Sequence, residues 1–155
     1  MRRIAFIAMA GALVLGSVTQ AQTPVSVDFS DAPVTPGSWT YREVAGGSEA
    51  TFVDGAGTAR AMLTCGKVTR LVTLSRISAA PAAGLSVWTS SASRDLPARF
   101  DGNARRVIAQ LGAADSLLDG IAFSRGRFAL SMAGSPALVL PAGTEIAHIV
   151  EDCRV

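Results

Sequence analysis

Several short runs of the chain alternate large apolar with polar residues, and glycine, proline and Asp-Gly signals separate them. Trp39-Thr40-Tyr41-Arg42 and Glu49 to Val53 carry the two-residue period of half-buried strands, with Gly46-Gly47 between them as the turn of a hairpin. Asp54-Gly55-Ala56-Gly57 suits a second tight reversal, because Asp-Gly supplies positive backbone angles, and Thr58 to Cys65 follows as a strand. After Gly66-Lys67, the run Val68 to Ile77 sets Val68, Arg70, Val72, Leu74 and Arg76 on one face against Thr69, Leu71, Thr73 and Ser75 on the other. Pro81-Ala82-Ala83-Gly84 breaks this meander, Leu85 to Thr89 resumes it around Trp88, and Arg94-Asp95-Leu96-Pro97 ends that strand. Arg105 to Leu111 is a further strand.

The last third changes period. Asp115 is placed to cap a short helix in which Leu117, Leu118 and Ile121 share one face, with Gly126 as its stop. Phe128 to Met132 and Ala137 to Leu140 read as a hairpin around Gly134-Ser135-Pro136. Thr144 then caps a second helix, whose apolar positions Ile146, Ile149, Val150 and Cys153 recur at helical spacing. Short strands with regular turn signals predict a mainly β fold over residues 38–155: an antiparallel β-sandwich or small barrel with one or two short C-terminal helices. Residues 22–37, with Pro24, Pro33 and Pro36, read as an extended lead in which Val25 to Phe29 forms an edge strand.

The N-terminus has a different character. Arg2 and Arg3 precede an uncharged, almost wholly apolar run from Ile4 to Val18, and Thr19-Gln20-Ala21 puts small residues three before and one before a cut after Ala21. This is the pattern of a signal peptide over residues 1–21, too short and too rich in Gly and Ala for a membrane anchor. Cleavage removes two arginines, so the formal charge of +2 falls to zero. A neutral domain has no general electrostatic attraction to nucleic acid or to an anionic membrane. Export brings the two cysteines into an oxidising compartment, where Cys65 and Cys153 are expected to pair. Their bond would tie the middle of the chain to the second helix.

The stretch from Asp115 through Phe123-Ser124-Arg125-Gly126-Arg127-Phe128, with Leu140-Pro141, Glu145 and Glu151-Asp152-Cys153-Arg154, resembles an uncharacterised family of small exported alphaproteobacterial proteins. In layout, the signal peptide, β-rich body and two cysteines resemble the invasion-associated locus B proteins, which implies a β-sandwich. Neither resemblance carries a catalytic residue across.

Candidate chemistry is sparse. His148 is the only histidine, flanked by Glu145 and Glu151, and a zinc site needs more ligands than it and two paired cysteines leave, so no metal or cofactor is expected. No Gly-x-Ser-x-Gly elbow surrounds a mature serine. Lys67 follows Thr64 by three positions but reads as a turn lysine, and Asp115 with Asp119 reads as a helix cap and a solvated or arginine-paired acid. Trp39, Tyr41 and Trp88 fall at strand positions that normally face a core. Arg125 and Arg127 flank Gly126 in a turn, where two guanidinium groups can clamp a carboxylate or phosphate, or pair with Asp119, Glu151 or Asp152. They are the candidate partner-binding residues. The expected function is a non-catalytic periplasmic module that binds another envelope protein or supports envelope structure, without stable membrane insertion after cleavage. The alternative is a small periplasmic hydrolase with a dispersed site that includes His148.

Overall fold

The structure, a computed structural model, describes residues 27–155. The expected signal peptide, its cleavage point and Val25 lie outside the described residues. Ten strands and two helices follow in order: β1 Gly37–Val44, β2 Gly47–Asp54, β3 Ala59–Gly66, β4 Leu71–Ile77, β5 Gly84–Trp88, β6 Ser93–Pro97, β7 Arg99–Asp101, β8 Arg106–Gly112, α1 Ser116–Ala122, β9 Arg127–Met132, β10 Ser135–Pro141 and α2 Thr144–Arg154. They build two antiparallel sheets, one of six strands in the order β1-β2-β3-β4-β8-β7 and one of four in the order β10-β9-β5-β6. The fold is therefore mainly β and sandwich-like.

Register explains the core. Trp39, Phe52, Ala61, Arg76 and Val107 stand opposite one another across β1, β2, β3, β4 and β8. Tyr41, Ala50, Leu63, Leu74 and Ala109 make the next row. Because strand side chains alternate, these rows share one face of the large sheet, and all but Tyr41 are buried. Leu85, Val87, Leu96, Phe128, Leu130 and Leu140 face them from the small sheet. Trp39 joins the two layers, its ring 5.4 Å from Phe52 and 6.2 Å from Phe128, with its indole N–H donating to the Pro141 carbonyl at 2.8 Å. Helix α2 packs on β2, β3 and β4, burying Ile146, Ile149, Val150 and Cys153 as its spacing predicts. Cys153 there meets Cys65 of β3 at disulfide distance, with Cα atoms 5.4 Å apart.

Local chemistry sets the turns. Gly46 takes a φ of +80° between β1 and β2, and a side chain on neighbouring Gly47 would collide with the Cys65 carbonyl. After β2 the Asp54 carboxylate accepts from the Ala56 and Thr58 backbone N–H groups, closing the expected reversal.

Several expectations are corrected. The strand expected from Val68 begins only at Leu71, because Arg70 N–H closes a turn on the Gly66 carbonyl and Arg70 itself has a φ of +53°. Arg94 to Pro97 does not end the fifth strand; it is β6, which pairs with β5 and then crosses at Ala98 into β7 of the large sheet. Helix α1 does start at the Asp115 cap but stops at Ala122, before Gly126. Gly143, not Thr144, is the N-cap of α2, and no side chain caps it.

The lead is corrected as well. Residues 27–29 form no strand. The segment instead crosses the outer face of the small sheet: Phe29 meets Trp88 edge-on at 5.9 Å, the Ala32 carbonyl accepts from Arg127, and Thr35 N–H donates to the Val139 carbonyl at 2.8 Å. Trp88 is accordingly half-buried under this strap and outside the core, since its neighbours Leu85 and Val87 take the inward positions.

Candidate partner-binding site

The connection from α1 to β9 is tied to the neighbouring Thr89–Ala92 loop by hydroxyl hydrogen bonds. Phe123 ends α1, its N–H donating to the Asp119 carbonyl, so its own side chain leaves the helix away from the buried Leu117, Leu118 and Ile121. Ser124 is buried and its hydroxyl accepts from the Ser90 N–H at 3.0 Å while donating to the Arg127 carbonyl. In return the Ser90 hydroxyl accepts from the Arg125 N–H at 2.9 Å. Thr89, also buried, holds the partner loop through the backbone of Ser91 and Ala92. Gly126 takes a φ of +74°, turning the chain into β9.

This clamp presents two side chains outward. Phe123 is 73% exposed, and Arg125 is exposed with a guanidinium that makes no ion pair or hydrogen bond to the described residues. Arg127 differs: it is half-buried and directed to the Ala32 carbonyl of the strap. The two arginines expected to act together therefore sit in different surroundings. Nor do the acids expected as their partners reach them. Asp119 is held by both guanidinium nitrogens of Arg154 at 2.8 and 3.0 Å, and Asp152 accepts from the Tyr41 hydroxyl at 2.7 Å. Phe123, Ser90 and Ser124 were not visible as site residues from sequence patterning. Phe123 alone left a signal, as a large apolar residue off the buried face of its helix.

His148 lies elsewhere, exposed on α2, with its ring edge-on to Tyr41 at 5.5 Å. Beside it, the neighbouring Ser48 hydroxyl, then Tyr41, Lys67 and His148, hold the Asp152 carboxyl below the usual carboxylate range against the opposing effect of burial. Ser48 is fully buried, and its hydroxyl forms no hydrogen bond of normal geometry. Tyr41 of β1 thus touches two side chains one turn apart on α2, its hydroxyl bonding Asp152 and its ring meeting His148, and both contacts join α2 to β1. Lys67 sits in the β3–β4 turn, its N–H on the Gly46 carbonyl. Asp115 caps α1 and accepts from Arg94 at 2.5 Å; burial pushes its carboxyl up, but the Leu117 N–H and Arg94 bring it below the usual range. Among the described residues, no three His, Cys, Asp or Glu side chains converge on a metal-sized site.

The ion pair of Asp119 with Arg154 carries a pH prediction. Arg154 holds the Asp119 carboxyl below its usual range. A carboxyl depressed in the folded state contributes stability above its unfolded value of about 3.9, and that contribution is lost as pH falls through the folded value. Both side chains are partly exposed, so the expected contribution is below about 1 kcal/mol. Melting temperature measured from pH 7 down to pH 2 should fall less steeply for Asp119→Asn than for the wild type. Parallel profiles would show that the pair adds nothing.

No family model, curated protein or solved structure matches the chain.

Proposed function

We propose that the protein is an exported, non-catalytic binding module of the cell envelope, and that its partner is another envelope protein contacted through Phe123 and Arg125. The observation that carries this reading is the clamped loop. Aromatic residues and arginine dominate binding energy at protein interfaces, and a rigid backbone lowers the ordering cost of association. Here both residue types stand out from a backbone fixed by the Ser90 and Ser124 hydroxyls. The same loop carries the resemblance to the small exported alphaproteobacterial proteins, and membership of that family is part of the proposal. Export to the periplasm is supported by the charged start and apolar run of the sequence and by the buried disulfide. Among the described residues, no helix is long and apolar enough to cross a membrane.

One experiment tests the reading. Tagged protein recovered from the envelope fraction is weighed intact, then used as bait after crosslinking, alongside Phe123→Ala, Arg125→Ala and His148→Ala. The expected mass is that of a chain beginning at Gln22. The expected capture of a discrete protein survives His148→Ala and weakens by about 2 kcal/mol or more, roughly thirtyfold, with either loop change. Hydrolase activity abolished by His148→Ala would replace this reading with the enzymatic one. Capture indifferent to both loop substitutions would remove the loop as the binding surface.

A further inference from the structure

One end of the sandwich holds two cations, Arg76 without a carboxylate partner among the described residues and Arg60 with only a long ion pair to Asp54. Arg76 stands on the inner face of β4, only 5% exposed, in the row of Trp39, Phe52, Ala61 and Val107. A buried charge normally has an opposite charge beside it. Arg76 has none within ion-pair distance among the described residues. Its guanidinium donates to two backbone carbonyls of the facing sheet, to Leu130 at 2.7 Å and to Pro136.

Two irregularities meet here. The pairing of β9 with β10 shifts register between Ser135 and Leu138, which takes Pro136 out of the ladder and leaves its carbonyl to Arg76. The pairing of β2 with β3 shifts between Phe52 and Val53, so Arg60 has no opposite residue and lies beside Ala61, the cross-strand partner of Arg76. Bulges of this kind re-aim a side chain, and they concentrate near functional sites. The Arg60 Nε is buried without a hydrogen-bond partner; its ion pair with Asp54 Oδ2 is long, at 3.8 Å, while Oδ1 of the same carboxylate accepts from the Ala56 and Thr58 N–H groups. Burial and then the charge of Arg60 bring the Arg76 guanidinium down to about 10.

We propose that this end of the sandwich binds a small oxyanion, a carboxylate or a phosphate group, between Arg60 and Arg76. Arg60, with its side chain 41% exposed, is the entrance, and its unpartnered N–H is the donor in waiting. Arg76 supplies fixed positive charge behind it, held in place by the two carbonyls. The anion relieves the repulsion between the two guanidinium groups and satisfies the orphaned donor, so binding stabilises the folded protein. Asp54 opposes it, its carboxylate lying 3.8 Å from the Arg60 Nε.

The test is thermal denaturation of the mature protein at constant ionic strength, titrated with acetate, with inorganic phosphate and with glycerol phosphate. Wild type should show a saturable rise in melting temperature, and the anion giving it at the lowest concentration identifies the source as a carboxylate, free phosphate or a phosphate ester. Arg60→Gln should weaken the apparent affinity roughly tenfold. Asp54→Asn, which keeps an oxygen for the turn but removes the competing charge, should tighten it. A rise that is unsaturable and equal in all three proteins is the general effect of excluded salts and overturns the site. Absence of any rise in the wild type overturns it equally.

Discussion

Replacing both half-cystines, Cys65→Ala with Cys153→Ala, is expected to lower the stability of the folded protein by about 4 kcal/mol. The bond closes a sequence separation of 88 residues, for which the loop-entropy model gives a contribution of that size. Both residues are wholly buried, so the bond also fixes the inner face of α2 against β3. Three polar links depend on that seating: Tyr41 to Asp152, Arg70 to the Arg154 carbonyl at 2.6 Å, and Arg154 to the Ala113 carbonyl at 2.9 Å. Urea unfolding of oxidised wild type against the double variant measures the difference. A loss below about 1 kcal/mol would mean that Ile146, Ile149 and Val150 hold the helix without covalent help.

The mainly β architecture was legible because a strand exposed on one side must alternate, and the alternation of β1 to β4 survives intact in the sequence. Even the inward placement of Arg76 follows from it, since Arg76 shares the parity of Val72 and Leu74. Trp88 shows where residue type misleads. Its bulk suggests the core, but Leu85 and Val87 have already claimed the inward parity of β5, and Trp88 needs the strap to cover it. The β6 to β7 crossover was hidden for another reason. Ser93–Pro97 has one buried residue, Leu96, in its five strand positions, too little apolar signal to distinguish an edge strand from a loop.

The candidate site was legible only at its tips. Arg125 and Arg127 stand out in a glycine turn, yet what separates them is the Ala32 carbonyl, which lies 95 positions from Arg127. The reciprocal hydroxyl bonds of Ser90 and Ser124 span 34 and 35 positions, and no local pattern announces them. Such contacts arise when two loops are brought together by the sheets beneath them. Sequence periodicity reports the sheets and is silent on the loops.

The same non-local logic governs the second large effect, at Arg76. Truncation by Arg76→Ala removes both donors at once, leaving the Leu130 and Pro136 carbonyls without their side-chain partner and opening a void between the sheets. The expected loss is about 3 to 5 kcal/mol, from the cavity together with two carbonyls left without a donor. Arg76→Met separates the contributions. It fills most of the volume and removes the desolvated cation, which is favourable, but it still strands the two carbonyls, so its expected cost is about half that of the alanine change. Chemical denaturation of the three proteins decides between these causes. If Met and Ala cost the same, the hydrogen bonds to the facing sheet are the whole effect. If Met is as stable as the wild type, Arg76 is retained for its charge, and its stabilising contribution to the folded chain alone is nil.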